Sequence, residues 1–363
     1  MFRQTLKWCA LVVAAMTLTG CGDKPKIPEN TLAAVYVDLD NLIDNGIEVA
    51  KMAIDEMPDD KAEEAQKGLD EVVKTYKKQF KQCKFQWAVF TAGVTDGNIS
   101  RPELAFVIRC DYDKEAEDGS TFRKFYEENL MRNIGLGKTE FVEGKYVIAA
   151  NTSDVMDKMI ALYRDGKGET SDAFDDLADL DGDTVARAQI AGLKTWVDVF
   201  DGEEEIKRIG KDCDDEDLID DLMDGGPIML DFKLSEDVFG TELAVDAGSK
   251  DLAKALEGVG NILKFSSRVG VDLGCTTVAR ALVEPIRRSR MAAGRELEDG
   301  AAALGKMMED EGVRELVKQV REASSCERSG AKVRFKCEYD TEDFLEQLIP
   351  IACKAMRGGI FAD

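Results

Sequence analysis

A chain of 363 residues with 44% apolar side chains holds enough material for about two domains and a substantial core, which excludes wholesale disorder. Its formal net charge is −24 and it contains no histidine. Such acidity argues against nucleic acid and anionic head groups as partners, and without imidazole the chain builds neither a Ser–His or Cys–His nucleophile pair nor a His-ligated zinc site. Any catalysis would rest on carboxylates, Lys, Tyr or Cys. The sequence also lacks a G-x-S-x-G elbow, a G-x-x-x-x-G-K-[ST] phosphate loop and a C-x-x-C pair. No cofactor is expected.

At the start, Arg3 and Lys7 precede an apolar run from Leu11 to Leu18 that only Thr17 interrupts, and Leu18-Thr19-Gly20-Cys21 closes it. The run is shorter than the roughly 20 residues of a membrane-spanning helix and reads as a secretory signal over residues 1–20. Its L-T-G-C end resembles the lipobox of bacterial lipoproteins. That resemblance implies cleavage before Cys21, acylation of its thiol and amine (palmitate being a typical chain), and a membrane as partner through the lipid. Burying acyl chain contributes about 0.8 kcal/mol per CH₂, and more than one chain makes anchoring stable. Gly22 follows the cysteine where an Asp would retain such a protein in the inner membrane, so the outer membrane facing the periplasm is expected. Residues 21–30, with Pro25 and Pro28, read as a short extended linker.

Thr31 to Leu39 has the pattern of a buried strand, and a helix follows from Asp40 to Met57. Ala62 to Lys81 is an amphipathic helix. Phe85 to Val94 and Leu104 to Cys110 read as strands joined through Asp96-Gly97-Asn98, and Ser120 begins a helix through Met131. A second hairpin is expected around Glu143-Gly144, then a helix capped by Ser153 or Asp154. From Thr184 the pattern restarts: Thr184 to Ile190 lies over Thr31 to Val37, Ile228 to Leu234 and Thr241 to Ala247 form another strand pair, and Ser249 caps another helix. A helical insertion over residues 276–323, a strand from Lys332 to Tyr339 and a closing helix kinked at Pro350 complete the chain. The expected fold class is α+β: two related strand–helix–hairpin–helix modules, 31–182 and 183–363, with antiparallel sheets packed against helices.

The stretch Pro28-Glu29-Asn30-Thr31 running into AAVYVDL, with Gly144 to Ala149 and Gly182 to Arg187, resembles an uncharacterised family of repeated α+β bacterial envelope proteins. That resemblance implies a module type and no chemistry.

The sharpest chemical candidate is Asp38-Leu39-Asp40 at the end of a hydrophobic strand. A strand ending in D-x-D resembles the first motif of haloacid-dehalogenase-like phosphatases, which implies Asp38 as nucleophile, Asp40 as acid/base and Mg²⁺ as phosphate-neutralising ion. Leu42 departs from the Thr or Val of that motif, and the second copy carries Ala191 and Leu193 at the matching places. The plainer reading makes Asp38 a strand end and Asp40 a helix cap. Asp179 to Asp183 has its glycine one place early for an EF-hand loop and reads as a turn, and Asp212 to Asp224 as a solvated acidic helix face. Arg280, Arg287, Arg288, Arg290 and Arg295 form a basic cluster that balances the acidic segments or meets an anionic envelope polymer. Of nine cysteines, Cys83 and Cys110 are equidistant from the first hairpin's centre and form the disulfide candidate.

These readings converge on a lipid-anchored envelope protein with a non-enzymatic binding or structural role and an envelope protein or polymer as further partner. The alternatives are a Mg²⁺-dependent phosphatase using Asp38 and Asp40, and a carrier of hydrophobic cargo in a groove between sheet and helices.

Overall fold

The structure, a computed structural model, describes residues 24–79, 84–95, 97–112, 136–202, 216–265 and 311–356, with the single positions 124, 204 and 208. Cys21, Cys83, nearly all of the helix expected after Ser120, residues 212–215 of the Asp212–Asp224 run and the arginine cluster lie outside these residues.

The described strands are β1 (Thr31–Asp38), β2 (Lys84–Thr95), β3 (Asn98–Asp111), β4 (Lys138–Val142), β5 (Tyr146–Ala150), β6 (Thr184–Ile190), β7 (Ile228–Leu234), β8 (Val238–Asp246), β9 (Ser324–Ser329) and β10 (Lys332–Asp340). They form one ten-stranded sheet in the order β4-β5-β3-β2-β1-β6-β7-β8-β10-β9, every neighbouring pair antiparallel. The helices are α1 (Leu39–Asp55), α2 (Asp59–Gln79), α3 (Ser153–Arg164), α4 (Leu193–Phe200), α5 (Glu216–Met223), α6 (Lys250–Phe265), α7 (Glu311–Glu322) and α8 (Thr341–Met356). The fold class is α+β, with the sheet packed against helices.

Each half of the sheet runs outward from the centre in the same order, β1-β2-β3-β5-β4 on one side and β6-β7-β8-β10-β9 on the other. The first strands of the halves, β1 and β6, pair with each other. Laying Thr31 on Thr184 carries Val35 onto Ala188, and these two residues are direct partners. Ala33 pairs with Ile190 and Val37 with Ala186, so the register reads alike from either strand. The two halves thus share a continuous sheet.

Several boundaries differ from those read in the sequence. Strand β3 begins at Asn98 rather than Leu104, because a register shift between Val94 and Thr95 accommodates Pro102 opposite Val94. Glu143 and Gly144 both have positive φ (55° and 75°) and tie β4 tightly to β5. Thr152, one residue earlier than expected, caps α3: its hydroxyl accepts from Val155 N at 3.2 Å. Strand β9, SSCERS, was not anticipated, since a polar edge strand has no alternation to read.

Residues paired directly across an antiparallel sheet share a face. Phe106, Phe90, Val35, Ala188, Leu230, Leu243 and Phe335 therefore form one row across seven strands. The next row on that face is Leu104, Ala92, Ala33, Ile190, Ile228, Val245 and Val333. Both rows are apolar throughout. On the opposite face the central row reads Val107, Val89, Tyr36, Arg187, Asp231, Glu242 and Lys336, changing from apolar to charged where β1 meets β6.

Helices cover these faces unequally. α3 turns Val155, Met156, Met159, Leu162 and Tyr163 onto the opposite face in the first half, against Tyr36, Trp87, Val89 and Ile148. Phe174 and Leu177, from the segment before β6, complete this core. On the apolar face, Leu39 of α1 packs with Phe85, Ala88, Ile108 and Val147. Phe344 of α8 stacks on Phe239 at 4.8 Å, and α6 packs Ala253 against Val333 with Phe335 beside them.

Candidate functional site

The D-x-D stretch opens a helix, but the cap is Asp38 and not Asp40, because the helix begins at Leu39. Asp38 ends β1 opposite Trp87 and caps α1: Asn41 N donates to Oδ1 at 3.1 Å and Asn41 Nδ2 to Oδ2 at 2.9 Å. Asp40 is buried in the first turn, where helix N–H groups favour a carboxylate. The surrounding sheet is antiparallel, unlike the doubly wound sheet of the phosphatases this motif resembles. Among the described residues no group of three or more Asp, Glu or Cys side chains is gathered to hold a metal ion. Asp179 to Asp183 forms a turn, with Gly182 at φ 54° and Thr184 N donating to Asp181 O at 3.0 Å. In the first hairpin Phe85 is the direct partner of Cys110, which is buried.

The feature that departs from an ordinary antiparallel sheet lies at its centre. A solvated sheet face normally carries polar side chains. Here Val35, Ile190, Ile228 and Leu230, on β1, β6 and β7, remain 38–44% exposed within the two apolar rows. Phe90, Phe106 and Leu243 beside them are half-buried. Helix α1 reaches towards this region from one end, with Asn45 Nδ2 donating to Leu234 O at 2.6 Å. The result is a shallow apolar strip on the central strands, flanked by α1, α6 and α8. Contiguous exposed apolar surface of this kind marks a binding surface.

Directly behind the strip the sheet is locked by charge. Arg187 donates Nε to Asp231 Oδ1 at 2.6 Å and Nη2 to Oδ2 at 2.9 Å, a two-pronged pair, while Nη1 holds the carbonyls of Asp176 (2.9 Å) and Asp179 (3.0 Å). The hydrogen bonds to Asp231 raise the Arg187 pKa, so it stays charged. Further out, Lys233 reaches Glu242 at 3.2 Å and Glu338 at 2.5 Å. Lys233 and Glu338 are both direct partners of Gly240, and the missing side chain there lets them meet. Arg334 and Lys336 lie 3.5 Å from Glu242 as well. The charges of this half are largely buried and matched by opposite partners, whereas the strip on the other face is apolar and exposed.

The third arrangement is the N-terminal run. Residues 24–28 carry no helix and Glu29-Asn30 form a turn into β1, and the run is docked on the body. Ile27 is 3% exposed in the core under α3. Lys26 N donates to the Tyr163 hydroxyl (3.0 Å), which donates back to Lys26 O (2.9 Å), and Lys26 Nζ donates to Leu162 O. Ser171 N donates to Ile27 O at 2.9 Å, Glu29 N to Glu169 O at 3.2 Å, and Lys24 pairs with Asp179 at 2.6 Å. Burial pushes the Tyr163 phenol far above its ordinary value, with a smaller push from Tyr146, and the bond it donates to Lys26 O only partly offsets this. The Glu29 carboxyl is held above its ordinary value by the hydrogen bond and charge of the neighbouring Glu169.

Sequence reasoning named Asp38, Asp40 and Cys110 and missed the apolar strip, Arg187 and the Ile27–Tyr163 dock. An arginine inside the alternating strand TVARAQI was a signal for a buried ion pair; nothing local marks Ile27 or Leu230. No helix among the described residues is long and apolar enough to cross a membrane.

No protein-family profile and no curated relative matches the chain. Among solved structures, crystal form III of TP0453 is 8% identical, with a TM-score of 0.35 over 91% of this chain and 100% of that one. Crystal form I of TP0453 is 7% identical, with a TM-score of 0.33 over 92% of this chain and 100% of that one. Similarity at that level assigns neither family nor activity.

Proposed function

We propose that this chain is a lipid-anchored bacterial envelope protein with a non-enzymatic binding role, and that the apolar strip on β1, β6 and β7 takes an uncharged apolar chain as cargo. The observation that carries the reading is the exposure of Val35, Ile190, Ile228 and Leu230 in the middle of the sheet, the place a fold covers first. The order of charge, apolar run and L-T-G-C before Cys21 supports anchoring, and Gly22 supports the outer membrane. The net charge of −24 disfavours polyanionic ligands, so the occupant suited to this surface is neutral. The matching strand order of residues 31–182 and 183–363 supports two copies of one module, with the strip formed where their first strands meet.

Completing the burial of a side chain that is about two-fifths exposed contributes about 1 kcal/mol, given roughly 1.5–3 kcal/mol for full burial of a Val, Leu or Ile. The test is titration of purified protein with a neutral pyrene-labelled acylglycerol. Saturable binding is expected, weakened at least about tenfold by the double substitution Ile190→Ser, Leu230→Ser, because two such contacts are worth about 2 kcal/mol. Since both residues are already exposed, the urea midpoint should hardly move. No binding, or equal binding by the variant, refutes the assignment of the strip.

A further inference from the structure

Resting on the lipid-anchor reading above, we infer that the docked N-terminal run is an orienting strut: it holds the body against the bilayer on the α3 side and turns the apolar strip away from the membrane. Anchoring on a free linker lets the body tumble at a distance, since a flexible chain of n residues spans roughly 5–6 Å × √n with no preferred direction. Here Lys24 is already fastened to the body. Only Gly22 and Asp23 separate it from Cys21, so the link spans at most about 11 Å at roughly 3.6 Å per residue. From Lys24 onward the chain is fastened by the Lys24–Asp179 pair, by the reciprocal Lys26–Tyr163 bonds, by burial of Ile27 and by the bridge of Pro28 to Thr170.

The side on which the run docks follows from the strand register. Ile27 packs in the core that contains Tyr36, Val89 and Val107, the row opposite to Val35 and Leu230. The lipid therefore leaves the body on one side of the sheet and the apolar strip opens on the other. The surface nearest the bilayer is the segment with Glu169, Asp172, Asp175 and Asp179, which is acidic and is repelled by anionic head groups. It therefore lies at the membrane without entering it. On this geometry the strip loads from the aqueous side or from a partner there, and not by lying in the bilayer.

The experiment places a fluorescent non-natural amino acid at exposed Asp175 or at Leu230 in the full acylated chain, reconstituted in phosphatidylcholine vesicles carrying head-group nitroxides. Quenching at position 175 should exceed that at 230, and inserting a twenty-residue Gly-Ser linker, about 25 Å in root-mean-square reach, between Asp23 and Lys24 should abolish the difference. The substitution Tyr163→Phe, which removes the reciprocal bonds and keeps the ring, should reduce it. Stronger quenching at 230, equal quenching at both, or an unchanged difference after linker insertion overturns the strut. Loss of vesicle association altogether, with Cys21 unmodified by mass spectrometry, overturns the anchor reading itself.

Discussion

Arg187 is the side chain whose removal tests the sheet most directly. It sits on β6 beside the junction of the two halves, its side chain 9% exposed, paired with Asp231 at 15%. Arg187→Met keeps the volume of the stem and removes two charge-assisted hydrogen bonds to Asp231 and two to the carbonyls of Asp176 and Asp179. The loss is dominated by the carboxylate left behind in a largely dry place. Breaking a buried pair from one side costs about 3–5 kcal/mol, and the residual water contact of Asp231 puts the expectation near the lower end, about 3 kcal/mol. Arg187→Lys keeps the charge but cannot form the fork and reach two carbonyls as well, so about half of that loss is expected. Adding Asp231→Leu to Arg187→Met removes the stranded charge and should restore about a third of the loss, leaving the two carbonyls at about 1 kcal/mol each. Urea unfolding of the four proteins gives these differences directly, read as midpoint shifts at constant m. A single-variant loss below about 1 kcal/mol, or a double variant no better than the single, would show that this pair is merely a solvated surface contact.

Asp38→Ala should lower stability by about 1 kcal/mol through loss of the α1 cap, with Asp38→Asn near neutral because Asn caps as well; equal losses in thermal unfolding would contradict the capping role. Lys233→Met should destabilise by about 2 kcal/mol at neutral pH, between an exposed and a buried pair. Burial pushes Glu242 up, but Lys233, Lys336 and Arg334 outweigh it and hold its carboxyl below 4.5, so this contribution is present above 4.5 and lost as acid titrates the folded group. Burial pulls Lys233 down, and Glu338 and Glu242 outweigh it and raise it above 10.5, so its share is complete below 10.5 and lost in stronger alkali. The gap between wild type and variant should close towards both extremes, and a gap as wide in acid as at neutral pH would refute the assignment. For the docked run, the Glu29 pKa lies above 4.5 because of the hydrogen bond and charge of Glu169 beside it, so that contribution is complete below 4.5 and lost as pH rises through the folded value. Amide exchange of Lys26, Ile27 and Glu29 should therefore be better protected, relative to β1, in mild acid than at neutral pH, and a ratio independent of pH would remove Glu29–Glu169 from the docking.

Much of the fold was legible because it is local. Alternation in TLAAVYVD and TVARAQI marked the two central strands, the glycine turns marked hairpins, and Ser249 and Asp340 marked helix starts, each signal lying within a few residues of the structure it makes. The similarity of the two halves was also visible, since it is a repetition of those same local signals. What tertiary structure alone decided is where the repeats meet and which surfaces they leave open. Nothing near Leu230 records that it will share a row with Val35, nearly two hundred residues away, or that it will stay 44% exposed there. A run containing two prolines reads as a linker by composition, and only the pocket beneath α3, built by Tyr163 and Phe174, turns Ile27 into a core residue. Pairing and burial are properties of distant partners, and a residue's own neighbours in sequence do not carry them.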